Sequence, residues 1–236
     1  MQTVVITQSN YIPWRGYFAM LAKADELILL ETVQYTRRDW RNRNTIKTPS
    51  GLQWLTIPVD VKGKYFQAID ETRIANADWA EHHIRSIETN YRRAAQFEKV
   101  APWLFDLLRK AAAFELLTEV NGFLLVEISR WLGLTMQLRR CTDVLPRAEL
   151  MSMAPTDRLL NLCSAAGATR YVSGPAAKDY MELEKFDRAG IEVSWMDYSG
   201  FPEYPQAWGP FESHVSIVDL LLNCGEASRD YLRADV

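Results

Sequence analysis

The sequence predicts an α/β protein with a mainly parallel, Rossmann-like sheet that carries a β-hairpin and a helical insertion, laid out as one domain over residues 1–236. Two observations carry that reading. Short β-branched or apolar runs that end on polar residues alternate with helical patterns at both ends of the chain. The middle breaks the alternation, first with a period of two over about 49–76 and then with amphipathic helices over about 78–132.

The first strand is Val4-Val5-Ile6, ending on Gln8-Ser9-Asn10. Pro13 and Gly16 then punctuate a loop, and Tyr17 to Ala22 continue as a helix whose free N–H groups face the strand tip. Leu27 to Leu30 read as a second strand, followed by Glu31, Gln34, Tyr35 and a basic stretch. Leu52, Trp54, Leu55, Ile57, Val59, Phe66 and Ile69 alternate with polar residues around Pro49-Ser50-Gly51 and Lys62-Gly63-Lys64, as an inserted antiparallel hairpin would. In the helical block, Asp78 caps the helix of Trp79 and Tyr91, Pro102 opens a second, and Leu117 to Trp131 line a third that Gly133 ends. Leu134–Arg139 is the next strand. A helix from Thr156 through Cys163 stops at Gly167, and the strand Arg170–Val172 opens onto Ser173-Gly174-Pro175. A helix from Ala177 to Arg188, a strand Ile191–Trp195 and a last helix Ser216–Asn223 complete the pattern, with Ser216 and Asp219 spaced as a capping pair.

At 48% hydrophobic residues the chain can bury a large core, and a formal net charge of −3 argues against a general nucleic-acid or anionic-membrane binder. Charge is concentrated locally instead. Arg37, Arg38, Arg41, Arg43 and Lys47 face only Asp39, which suits a discrete phosphate or carboxylate. The N-terminus enters a strand directly and no apolar run reaches the roughly 18 residues of a span, so the expected location is cytoplasmic. Cys141, Cys163 and Cys224, odd in number and set in apolar surroundings, read as buried free thiols, and with three histidines and no CxxC pair no metal site is expected.

The loop from Gln8 to Tyr17 sits where nucleotide-binding α/β proteins hold phosphates, and its residues Gln8, Asn10, Tyr11, Trp14, Gly16 and Tyr17 are candidate ligand contacts. Trp14-x-Gly16-Tyr17 is laid out like the HxGH element of nucleotidyltransferases, with aromatics in place of both histidines, and it serves either as a phosphate loop or as a tight structural turn. In Trp40-Arg41-Asn42-Arg43-Asn44, amides alternate with guanidinium forks; Arg43 is the candidate anion clamp and Asn44 the orienting partner, against a solvated basic face. His83 is the candidate general base or a core histidine, and Ser173-Gly174 offers a hydroxyl and close N–H groups or only a turn. No GxSxG elbow supports a serine triad.

Taken together, Gln8-x-x-Tyr11-x-Pro13-Trp14-x-Gly16-Tyr17-Phe18, Val33-Gln34-Tyr35 with Trp40-x-Asn42-Arg43-Asn44, Trp54-Leu55-x-Ile57-Pro58-Val59, Tyr171-Val172-Ser173-Gly174 and Ser216-Ile217-Val218-Asp219 resemble the WbqC-like family over nearly the whole chain. The resemblance implies a role in surface-polysaccharide (O-antigen) biosynthesis, transferring glycine or another aminoacyl group to an amino sugar carried on a nucleotide or lipid. ATP with Mg²⁺ would activate the amino acid, or a preactivated donor such as charged tRNA would replace them. Arg43 and Lys47 would hold phosphates, His83 would take the proton of the attacking amine, and Gln34, Tyr35 and Trp40 would line the substrate. A sugar-nucleotide nucleotidyl- or acyltransferase and a non-catalytic binder of a glycan intermediate are the alternative readings.

Overall fold

A computed structural model describes residues 1–233. In chain order the first half holds β1 (Thr3–Thr7), α1 (Arg15–Leu21), β2 (Glu26–Leu29), β3 (Arg43–Thr48), β4 (Gly51–Thr56), α2 (Trp79–Tyr91), α3 (Phe97–Ala111) and α4 (Leu117–Trp131). The second half holds β5 (Gln137–Arg140), α5 (Cys141–Val144), α6 (Arg147–Ser152), α7 (Pro155–Ala165), β6 (Arg170–Ser173), α8 (Leu183–Arg188), β7 (Glu192–Trp195) and α9 (Ile217–Cys224).

Five strands make one all-parallel sheet in the order β5-β2-β1-β6-β7, and β3 pairs with β4 in a separate antiparallel hairpin. The expected mainly parallel, Rossmann-like sheet is therefore present. The chain runs outward from β1 through β2 to β5, then returns to the other side of β1 for β6 and β7. That reversal puts a topological switch point between β1 and β6, where open α/β sheets hold ligands beyond the carboxyl ends of their strands.

Successive residues of a strand point to opposite faces, and here both faces are apolar. Val5, Leu27, Leu29 and Val172 pack into a core with α1, α2, α3, α4 and α9. Val4, Ile6, Ile28 and Tyr171 pack on the other side against Leu150, Leu159, Leu162 and Phe186 of α6, α7 and α8. Among the described residues no helix is long and apolar enough to cross a membrane. Cys141 and Cys163 are buried free thiols and Cys224 is a half-buried one.

Several expectations are corrected. The hairpin lies over 43–56 rather than 49–76, because the basic segment itself forms β3, while 57–76 holds a 3-10 turn at Ile69–Glu71 and isolated antiparallel bridges such as Val59 to Ile74. Pro102 sits inside α3 instead of opening it; the amide it lacks would have bonded the carbonyl of Glu98, an exposed residue in the first turn of the helix. Asp78 occupies the N-cap of α2 without a side-chain bond. The expected helix Ala177–Arg188 is broken, with a 3-10 turn at Pro175–Asp179 and α8 beginning only at Leu183. Ser216 does cap α9, accepting from Val218 N, but Asp219 belongs to a different network described below.

Candidate functional site

The loop leaving β1 is stitched down on both sides. Tyr11 N donates to the carbonyl of Trp40 at 3.0 Å, and Ile217 N donates to that of Pro13 at 2.9 Å. The Asn44 amide donates to the carbonyls of Tyr11 (3.1 Å) and Ile12 (3.0 Å), and Ser216 Oγ donates to Ile12 O at 2.8 Å. These bonds hold Ile12 at φ 35°, a conformation that a β-branched residue adopts only under constraint. Gly16 then lies directly against the Trp14 indole: a Cβ at position 16 would stand 2.2 Å from Cζ2. The Trp-x-Gly spacing is thus a packing requirement, since the ring fills the space that a side chain at 16 would need.

This loop forms one wall of a cleft of about 190 Å³ lined by Asn10, Pro13, Trp14, Trp40, Asn44 and His214. The volume is below the roughly 300 Å³ of the smallest drug-sized pockets, so it suits one small ring or headgroup. Trp14 is fixed by its neighbours: His214 stacks on it at 5.0 Å and 27°, and Tyr198 lies 5.2 Å away. At the other wall Trp40 leans on Trp54 with centroids 5.4 Å apart, and both rings stay substantially exposed. The His214 Nδ1 is 2.8 Å from Ser213 Oγ and 3.7 Å from Glu212 Oε1, on an exposed side chain. Among the described residues, His214 is the one titratable side chain of the lining.

Of the expected site residues, Asn10, Trp14, Trp40 and Asn44 meet in this cleft. Asn44 serves it by bracing the loop, because both its amide protons go to backbone carbonyls. Gln8 contributes a carbonyl that accepts from the buried Tyr17 hydroxyl at 3.0 Å, so Tyr17 is a brace as well.

His83 is not in the cleft. Its ring is buried between Tyr11 and Trp79, with Nε2 3.2 Å from the carbonyl of Thr56 and Nδ1 2.7 Å from the Tyr11 hydroxyl. A carbonyl can only accept, so Nε2 carries the proton and Nδ1 accepts from Tyr11. Burial pushes its pKa down to about 4, keeping it neutral. With both nitrogens engaged, His83 is a core histidine, and the expectation of a general base there does not fit this geometry.

The expected phosphate clamps are also committed elsewhere. The Arg43 guanidinium lies 4.1 Å over the Trp54 ring and donates to the carbonyl of Arg38. Lys47 is buried, its Nζ donating to Gln206 Oε1 (2.7 Å) and Pro210 O (2.5 Å). Beside it the buried Asp219 accepts from Tyr91 (2.8 Å), Tyr204 (2.8 Å) and Gln206 (2.7 Å), and burial raises its pKa. This network fastens the 204–212 loop, and with it the approach to His214, onto β3 and α9.

Gln34 donates to Tyr65 O at 2.8 Å and Tyr35 N to Gln67 O at 2.9 Å, tying the exit of β2 to the 60s loop away from the cleft; burial pushes the Tyr35 hydroxyl up to about 12. Ser173 is buried and accepts from Tyr171 OH at 3.3 Å, while Gly174 is extended ahead of Pro175. Neither lines the cleft. Among the described residues no group of three His, Cys, Asp or Glu side chains stands close enough to hold a metal ion.

His214 is the functional candidate that sequence reasoning passed over. It lies in no motif, and its one signal is a place two residues ahead of the Ser216 cap that touches the Ile12 carbonyl.

Fold and cleft together define a doubly wound α/β protein with an aromatic-walled cleft at the carboxyl end of its central strand. The chain belongs to the WbqC-like protein family, whose sequence model matches residues 8–231. It is similar to the uncharacterized protein Rv1507c of Mycobacterium tuberculosis, with 48% identity over 233 residues covering 99% of this chain and 98% of that one. No solved structure matches it.

Proposed function

We propose that this protein is an aminoacyltransferase that joins glycine or a similar amino acid to an amino sugar of a surface polysaccharide, with the sugar held in the Trp14–Trp40 cleft. The observation that carries the reading is the cleft lining itself. The exposed Trp40 indole offers a ring face for stacking on a sugar, with Trp14 as the facing wall and the Asn10 amide for its hydroxyls. His214, stacked on Trp14, takes the proton when the acceptor amine attacks the acyl carbon; the C–N bond forms and the bond from that carbon to the donor's leaving group breaks. No Arg or Lys lines the cleft, and Arg43 and Lys47 have other partners, which favours a donor activated elsewhere, such as charged tRNA, over an ATP-dependent adenylate.

The test is mass detection of the amide product from a UDP-linked amino sugar, supplied in parallel with glycyl-tRNA or with glycine, ATP and Mg²⁺. Product is expected with the preactivated donor, and His214→Gln should lower its rate by about 10²- to 10⁴-fold without changing the unfolding midpoint. Undiminished turnover in His214→Gln removes the base from this position. Binding of the sugar nucleotide without product from either donor favours a glycan-intermediate binder, the reading that the exposed Trp40–Trp54 pair also fits.

A further inference from the structure

One residue behind the cleft, the carboxyl ends of β1 and β2 enclose polar side chains that the cleft chemistry leaves unused. Glu31, two residues past β2, is 1% exposed, and Asn121 of α4 is fully buried. They converge on Ser9. Asn121 Nδ2 donates to Ser9 Oγ at 3.1 Å and to Arg41 O at 2.9 Å, and Arg41 Nη1 donates to Ser9 O at 3.2 Å and to the Asn10 side chain that lines the cleft. Thr118 Oγ1 donates to Glu31 Oε2, and the Ser9 hydroxyl stands beside the carboxylate.

After these bonds two buried acceptors, Glu31 Oε1 and Asn121 Oδ1, have no partner of bonding geometry. Native interiors rarely leave such groups unpaired, because each has given up water and received nothing in return. The nearby charges do not supply the missing donor. Arg41 is matched by Asp39 at 3.6 Å and Asp70 by Arg147 at 2.6 Å, while Arg140 acts on Glu31 only through space. Glu31 has no ion-pair partner among the described residues. What complements a buried carboxylate oxygen and a buried amide oxygen around one serine, each without a donor, is a compact cation with several N–H donors.

We propose that Glu31 and Asn121 receive a primary ammonium group, which reaches them from the cleft where Asn10 meets Arg41. Arg41 and Asn10 form the boundary, so the same arginine that braces the Ser9 carbonyl would gate the entry. The inference rests on the proposed function only for the two sources of such a group, since the amino acid and the amino sugar each carry one.

The experiment is calorimetric titration of the full chain near neutral pH with two matched pairs, glycine against acetate and glucosamine against glucose. The amine of one pair should bind at least tenfold more tightly than its counterpart, and the responding pair identifies the source. Glu31→Gln, which keeps the shape and removes the charge, should abolish that preference while its far-ultraviolet spectrum and unfolding midpoint show an intact fold. Absence of an amine preference in both pairs, or a preference unchanged in Glu31→Gln, overturns the inference. An amine preference without amide product leaves the ammonium site standing and removes the transferase, so the two readings fail separately.

Discussion

Trp14 and Gly16 decide the shape of the cleft together. The indole sits in the volume that a side chain at 16 would occupy, and His214 and Tyr198 pack against it. A rigid ring in such a position cannot yield as a flexible chain would. Gly16→Ala should therefore expel the ring from its seat and destabilise the protein by about 1–3 kcal/mol, the usual cost of overpacking. Denaturant unfolding and the tryptophan emission spectrum read this out; an unshifted spectrum with unchanged stability would show that the ring has room to move. The spacing of this pair was legible in the sequence, but its meaning was not. Read as a phosphate loop, Trp-x-Gly suggested contacts to a ligand, whereas the glycine is required by an intramolecular approach that only coordinates reveal. His83 teaches the converse, because its partners Tyr11 and Thr56 lie 72 and 27 residues away in sequence and nothing local distinguishes it from a catalytic histidine.

The hairpin of β3 and β4 is the element that turns the β1 loop into a site. Asn44 on β3 and Ser216 at the start of α9 both donate to the Ile12 carbonyl, clamping a strained residue between two elements. Asn44→Ala should cost about 2–3 kcal/mol, since it also strips a donor from Tyr11 O, and Ser216→Ala about 1–2 kcal/mol through the lost cap. Each single variant leaves Ile12 O one donor, and the double variant leaves none. A double-mutant cycle should thus give a loss greater than the sum, by about 0.5–3 kcal/mol; strict additivity would mean that water replaces both donors. The same hairpin shows why the sheet was readable and the insertion less so. β1, β2 and β6 put apolar residues on both faces of the sheet, and β1 and β2 announce themselves as runs. In β3 the four central residues are all buried but only Ile46 is apolar, so no apolar period marks the strand, and its basic residues look like a surface face. Asp219 misled in a similar way: three residues after Ser216 it has the spacing of a cap, yet its bonds go to α2 and to the 204–206 segment.

Over the whole molecule, two buried groups pull stability in opposite directions as pH changes. His83 is depressed from 6.5 to about 4, so its contribution is present above pH 6.5 and is lost as pH falls through 4, where the native state must charge a buried ring. Glu31 is raised from 4.5 to about 7 by burial, so its contribution is fully present below pH 4.5 and is lost as pH rises through 7, where the native state must ionise a buried carboxyl. Each displacement of about 2.5 pKa units corresponds to roughly 3 kcal/mol, and between pH 4.5 and 6.5 the two slopes oppose one another. Asp219, raised in the same sense as Glu31, adds to the second slope. The wild-type profile alone therefore conceals both effects, and the difference from a variant exposes one. Glu31→Gln cannot ionise, so in urea unfolding series the wild type should lose about 3 kcal/mol relative to the variant as pH is raised from 4.5 to above 7, all other titrations cancelling in the subtraction. With Glu31 silent, the variant's own profile keeps the opposing slopes of His83 and Asp219, so its fall with pH should be shallower than that of the wild type. A wild-type-to-variant difference that stays constant across this range would place the Glu31 carboxyl at its ordinary pKa in the native protein, with Ser9, Arg41 and Arg140 offsetting the whole cost of its burial.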